Sequence, residues 1–173
     1  MCEKDKNISI IQSGTWVSDQ YSFLLASPDG IIPPGFLVDG GKCLVHAGGG
    51  NVEEISSGDA QGILEIKCLF KYRTLLVAEA IAKSGPGFHL DKNGLLNRWH
   101  NYYAQIQLGM HFSRSAYCLF VTNTNMENKY EIVYYDEAWI RKNLVRLVIF
   151  YDGVFIPYLE TCEAKSCAPL SNV

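Results

Sequence analysis

The stretch Ile63-Leu64-Glu65-Ile66-Lys67-Cys68-Leu69-Phe70 decides how this chain is read. It has the pattern of a strand, apolar with charges at alternate positions, and it emerges abruptly from glycine-rich sequence. Side chains two apart on a strand leave from one face, so Glu65 and Lys67 stand together. Leu64, Ile66 and Cys68 are expected to point the other way, into the core. Taken alone, a carboxylate beside an ammonium is more often a solvated surface pair than a reacting one. A lysine at such a strand edge is expected to be removable with little loss of stability.

Upstream of that strand, residues 8–12, 15–17 and 21–26 read as β runs, and Ser27-Pro28-Asp29-Gly30 as a tight turn in which Pro presets φ and Asp-Gly tolerates the turn geometry. Residues 33–62 break the rhythm with Pro33-Pro34, Gly40-Gly41, Gly48-Gly49-Gly50 and Ser56-Ser57-Gly58. They predict a Gly-rich insert that keeps at most a short strand over 42–46. Residues 48–61 are expected to be irregular and poorly packed, so that deleting them leaves the melting temperature unchanged. Downstream, 74–83 has helical spacing and stops at Ser84-Gly85-Pro86-Gly87. A second helix is predicted over 95–112, where Leu96, Trp99, Tyr103, Ile106 and Met110 fall three to four apart. Strands over 116–123 and 129–135 follow, then a helix over 137–151 with acids at its positive end. This order predicts a mixed α/β (α+β) chain: a single domain over 1–160, then a loose tail over 161–173.

Composition bounds what such a domain does. The chain has 173 residues, 48% hydrophobic and 19% charged, too apolar for disorder over most of its length. Fifteen basic against 18 acidic side chains give a net charge of −3, and the pI is near 5.8. Gripping nucleic acid by bulk positive charge is excluded, so any such contact is local or carried by metal ions. No run of 18 apolar residues spans a membrane, and the N-terminus has no apolar signal region. Cys2, Cys43, Cys68, Cys118, Cys162 and Cys167 are expected to be free thiols of an intracellular protein, in cytoplasm or nucleus, with Cys68 and Cys118 as small core residues.

Taken together, Ser27-Pro28-Asp29-Gly30, then Gly62-Ile63-Leu64-Glu65-Ile66-Lys67-Cys68, then Tyr103-Ala104-Gln105-Ile106-Gln107 resemble the phage alkaline-exonuclease or YqaJ-type recombinase nucleases. These form a branch of the PD-(D/E)xK superfamily. The resemblance runs through YCLFVT and EIVYYDEAWI and covers roughly residues 15–152. It implies a restriction-endonuclease-like core, with a central mixed β-sheet flanked by helices. It further implies metal-dependent hydrolysis of double-stranded DNA by an exonuclease, and a ring-forming homo-oligomer or a recombination partner protein; the absence of a long apolar run implies no membrane.

The chemistry accounts for these residue types. Phosphodiester hydrolysis needs a hydroxide aimed in line and neutralisation of a crowded anionic state, which hard divalent cations on oxygen ligands supply. By the resemblance, Asp29 and Glu65 hold Mg2+ or Mn2+, and the backbone carbonyl of Ile66 adds an oxygen. Lys67 positions or deprotonates the attacking water, and Gln105 holds the site by hydrogen bonding. Ser27 is a candidate donor to phosphate, or an ordinary turn residue. Lys71 and Arg73, with Lys83, Lys92 and Arg98, form either a local phosphate-contacting rim or a solvated loop surface.

Other readings stay beside these. Asp59 lies nearer Glu65 in sequence than Asp29 does and competes for the first ligand position. His46, His89, His100 and His111 lack metal-ligand spacing and read as structural or exposed. Trp99, Tyr102 and Tyr103 read as core of an amphipathic helix, with base stacking as the other use of such rings. Family members carry an upstream helix with an acidic residue, whereas only a short segment containing Glu3 precedes the match here. A catalytic-core fragment or a reduced member is therefore expected. The rival to an enzyme is an inactive nuclease-fold module serving as a scaffold or partner-binding subunit.

Overall fold

The computed structural model describes residues 10–37, 41–48 and 51–166. Cys2, Glu3, the start of the 8–12 run, Gly40, Gly49, Gly50 and Cys167 lie outside them. In chain order the elements are β1 (Trp16–Val17), β2 (Leu25–Ala26), β3 (Gly30–Ile32), β4 (Lys42–Gly48), β5 (Asn51–Ser56), β6 (Gly62–Cys68), α1 (Val77–Lys83), α2 (Asn101–Ser113), β7 (Tyr117–Asn123), β8 (Asn128–Tyr134), α3 (Glu137–Phe150) and α4 (Ile156–Ser166). The chain falls into two compact units, 1–136 and 137–173, and the division lies inside the stretch that the sequence treats as one domain.

The first unit is built on a four-stranded mixed sheet in the order β3-β6-β7-β8. β6 runs parallel to β7, in register from Gly62 opposite Tyr117 to Cys68 opposite Asn123. A parallel pair needs a long crossover, and α1 and α2 lie within it. β7 is buried along all but its last residue, so it reads as an unbroken apolar run covered on both faces. On one face Leu64, Tyr117, Leu119 and Val121 pack with Ile32, Cys43 and Ala60, and Val45 and Ile55 close over them. On the other face lies α2. Gly109 allows it close approach, since a Cβ there would stand 3.0 Å from Ile63 Cδ1. The architecture is the mixed α+β sheet with helical cover that the sequence predicts.

Several local expectations are corrected. The insert is a β-hairpin: β5 occupies 51–56, Ser57–Asp59 form a 3-10 turn, and Ser57 and Ala60 are buried. Antiparallel pairing sets Cys43 opposite Ile55 and Val45 opposite Glu53, which puts Cys43, Val45 and Ile55 on one face against the sheet. Glycine and serine around the hairpin hid that short alternation. Ile66 is 40% exposed and Cys68 is exposed, so neither is core; Glu65, on the face under α2, is 3% exposed. The reason is that the cluster under the hairpin takes in Leu64 but neither Ile66 nor Cys68, so that face of β6 is uncovered beyond Leu64.

The second helix begins at Asn101 and not at 95. Asn97 turns the chain, accepting from Trp99 N on its side chain at 3.0 Å and from His100 N on its carbonyl at 2.9 Å. His100 then caps the helix by accepting from Tyr102 N at 3.1 Å. Trp99 is consequently 93% exposed instead of core. Of the 21–26 run only Leu25–Ala26 is strand, and the 74–83 helix starts at Val77.

In the second unit α3 and α4 are joined by a π-helical turn over Tyr151–Phe155. The widening falls just ahead of Pro157, which has no N–H to continue an α-helical ladder. Helix persists to Ser166 where the tail is expected to be loose from 161. Among the described residues Cys43, Cys68, Cys118 and Cys162 are free thiols, and no helix is long and apolar enough to cross a membrane.

Candidate active site

Where β3 ends, the edge of β6 would be left bare. Asp29 covers it. Its backbone N–H donates to Leu64 O at 3.0 Å, and its Oδ2 accepts from Ile66 N at 2.7 Å. A strand residue sends its N–H and C=O to the same side, so the Ile66 carbonyl emerges at this edge beside the Asp29 carboxylate. The preceding Pro28 is buried and Ser27 exposed, so the turn is anchored by its proline while Asp29 itself faces solvent.

Glu65 and Lys67 leave the face of β6 that α2 covers. Lys67 Nζ donates to Glu65 Oε1 at 2.5 Å. Gln105, on α2, closes the set with both ends of its amide: Nε2 donates to Glu65 Oε1 at 2.7 Å and Oε1 accepts from Lys67 Nζ at 3.1 Å. Lys67 Nζ also stands 4.3 Å from the centre of the Tyr102 ring, a cation–π contact one helical turn before Gln105. Asp29, Glu65, Lys67 and Gln105 thus come together from a turn, a strand and a helix.

Burial pushes the Glu65 carboxyl above the usual carboxylate range, and the charge of Asp29 pushes it the same way, while Lys67 and Gln105 pull it back. Two carboxylates repel here on a partly desolvated face, and Lys67 supplies the compensating charge. A hard cation fits that donor set: Asp29, Glu65 and the Ile66 carbonyl offer oxygen only. Among the described residues no group of three or more His, Cys, Asp or Glu is placed to hold a metal. Two carboxylates and a carbonyl suit an ion such as Mg2+, which keeps much of its water.

Other candidates stand apart from this set. Asp59 is exposed in the turn ahead of β6 and is absent from the charges acting on Glu65. Lys71 lies over the Tyr72 ring at 5.3 Å, and Arg73 over the Phe70 ring at 4.7 Å with Nη1 donating to Phe70 O. Arg98 pairs with Asp136.

Sequence reasoning missed two features. His89, buried, and His100 stack edge-on with Tyr102, at 5.4 and 4.5 Å between ring centres. Burial and the nearby charges of His100 and Lys67 push His89 down to about 4, so it is neutral at pH 7. Gln107 is fully buried, donating to Tyr134 O at 2.9 Å and accepting from Asp136 N at 2.8 Å, which fixes α2 against the end of β8. Its signal was in the sequence: residues two apart on a helix face different sides, so the two glutamines of Gln105-Ile106-Gln107 cannot share a task.

No protein-family description matches the chain, and no curated protein sequence matches it. Solved structures do. The exonuclease LHK-Exo in complex with dAMP superposes with a TM-score of 0.58 at 19% identity, covering 95% of this chain and 67% of that one. A second structure, of the alkaline exonuclease LHK-Exo from Laribacter hongkongensis, gives 0.55 at 18% identity, covering 95% and 68%. The fold is therefore similar to that of an alkaline exonuclease across nearly the whole chain, in line with the resemblance carried by the motifs.

Proposed function

We propose that this chain is a divalent-metal-dependent DNA nuclease acting as an exonuclease on double-stranded DNA. The observation that carries the reading is the convergence of Asp29, Glu65, Lys67 and Gln105 at the end of β6. The likeness to an alkaline exonuclease that was solved with dAMP adds weight to it.

Asp29, Glu65 and the Ile66 carbonyl would hold Mg2+ or Mn2+, which when bound supplies charge neutralisation at phosphate and lowers the pKa of water. The chain's own groups do the rest. Lys67 either holds the attacking water or a phosphate oxygen by donating from its ammonium, or, as the neutral amine, takes the water's proton at Nζ and becomes the ammonium. Gln105 fixes the direction of Nζ and of the Glu65 carboxylate together, so neither drifts when the Glu65–Lys67 contact opens. Tyr102 keeps the ammonium over its ring and excludes water from that side. Ser27, Lys71 and Arg73 are proposed as outer contacts to phosphate. The experiment compares linear and covalently closed duplex DNA with Mg2+ or Mn2+: mononucleotides released from the linear form alone support the exonuclease. No release with either metal supports the scaffold instead.

A further inference from the structure

Trp99 stands apart from the rings around it. Phe88, His89, His100 and Tyr102 contact one another, and Tyr103 meets Arg98. Trp99 is 93% exposed. Single exposed apolar side chains are ordinary, but this one is mounted rigidly. Asn97 holds its backbone from two sides and donates to His89 O at 2.8 Å. Leu96 N is tied to Glu131 on β8 at 2.7 Å, and Lys129, also on β8, reaches Asn93 O at 3.1 Å. Asp91 Oδ1 accepts from Asn93 N and Leu95 N, closing the loop on itself.

Its place is equally specific. Trp99 lies three residues before Tyr102, whose ring carries Lys67, so the two Cα atoms are at most about 11 Å apart. A DNA strand advances about 3.4 Å per nucleotide in a duplex. We propose that Trp99 is a stacking platform for a nucleobase of the bound DNA, on the lip of the Glu65–Lys67 site and within about three nucleotides of the phosphate there. This rests on the nuclease reading and names a subsite of it. In a chain whose 15 basic side chains are outnumbered by 18 acidic ones, bulk charge does not hold a polyanion. Stacking is a grip independent of charge. It also accepts every base, as an enzyme degrading a strand stepwise requires.

The test uses the full chain in EDTA, where nothing is cleaved. Tryptophan emission is followed while a single-stranded oligodeoxyadenylate, or an abasic strand of the same length, is added; affinity is read by anisotropy of a labelled copy. The base-bearing strand should quench the emission and the abasic one should not. Trp99→Ala should remove the quench and weaken binding on the order of tenfold, and Trp99→Phe should restore most of the affinity. Trp16 and Trp139 remain in every variant as background, and an exposed indole can be replaced without disturbing the core. Quenching that persists in Trp99→Ala, or unchanged affinity, overturns the platform. DNA cleavage by the wild type alongside that result leaves the nuclease reading standing. A quench that depends on Trp99 in a protein that cleaves nothing supports the platform and removes the nuclease.

Discussion

Replacing Lys67 with methionine removes the ammonium, keeps the stem and strands the Glu65 carboxylate. Glu65 is 3% exposed, the Lys67 side chain 18%, and their polar atoms are 2.5 Å apart. Removing one partner of a buried pair costs about 3–5 kcal/mol when the other charge cannot escape. Glu65 can escape by taking a proton, which at pH 7 costs an ordinary glutamate about 3.7 kcal/mol, so the loss is capped near that value. The hydrogen bond from Gln105 remains and softens it. The expected loss at pH 7 is therefore about 2–3 kcal/mol. The folded pKa of Glu65 is already raised, and the substitution raises it further. A raised carboxylate contributes stability below its unfolded pKa and loses it as pH rises through the folded value. The variant's deficit should thus shrink from pH 7 to pH 5. Urea denaturation of both proteins in EDTA at the two pH values measures it. A deficit below about 0.5 kcal/mol at pH 7, or equal deficits at both pH values, refutes the reasoning.

Deleting residues 42–56 should lower the melting temperature by about 10 °C or more, because the hairpin covers Leu64, Leu119 and Val121; an unchanged thermal melt would show that it is no part of the core. Gln107→Leu leaves the part-buried carbonyl of Tyr134 and N–H of Asp136 without their partner, and should cost about 1–3 kcal/mol in chemical denaturation. Gln105→Leu, at an exposed position, should cost less than about 1 kcal/mol. His111 stacks on His46 at 4.0 Å between ring centres and is pushed down to about 4, first by burial and then by the charge of His46. A depressed histidine stabilises above its unfolded pKa and loses that contribution as pH falls, so about 2–3 kcal/mol should disappear between pH 6.5 and 4. His111→Phe should flatten that acid limb in denaturation measured across the range.

What was legible in the sequence followed local pattern. Alternation in Gly62–Cys68 and Asn128–Tyr134 and the apolar run of Tyr117–Asn123 mark the three long strands of the sheet, and the motif order names Glu65, Lys67 and Gln105, which hydrogen-bond to one another, and Asp29, which bonds to Ile66 N. What depended on distant partners was not legible. Which part of each face of β6 is covered depends on where the hairpin and α2 lie, so local alternation puts Ile66 and Cys68 in the core and Lys67 at an expendable edge. The hairpin was lost because its apolar residues are few and act across strands, with Cys43 opposite Ile55. Leu96 and Trp99 kept helical spacing with Tyr103, but the Asn97 turn and the His100 cap stop the helix short of them, and spacing carries no sign of a cap that uses histidine.

The central claim is that Asp29, Glu65 and Lys67 form one hydrolytic site. Its most direct test is the rate of nucleotide release from a linear duplex with Mg2+ or Mn2+ by the wild type, Asp29→Asn, Glu65→Gln and Lys67→Ala, each shown by circular dichroism to be folded at the assay temperature. The wild type should release nucleotides only with metal, with release falling steeply as salt rises, and each variant should be slower by at least about 100-fold. Equal release by the wild type and Lys67→Ala would contradict the account, because hydrolysis would then be taking place elsewhere on the chain.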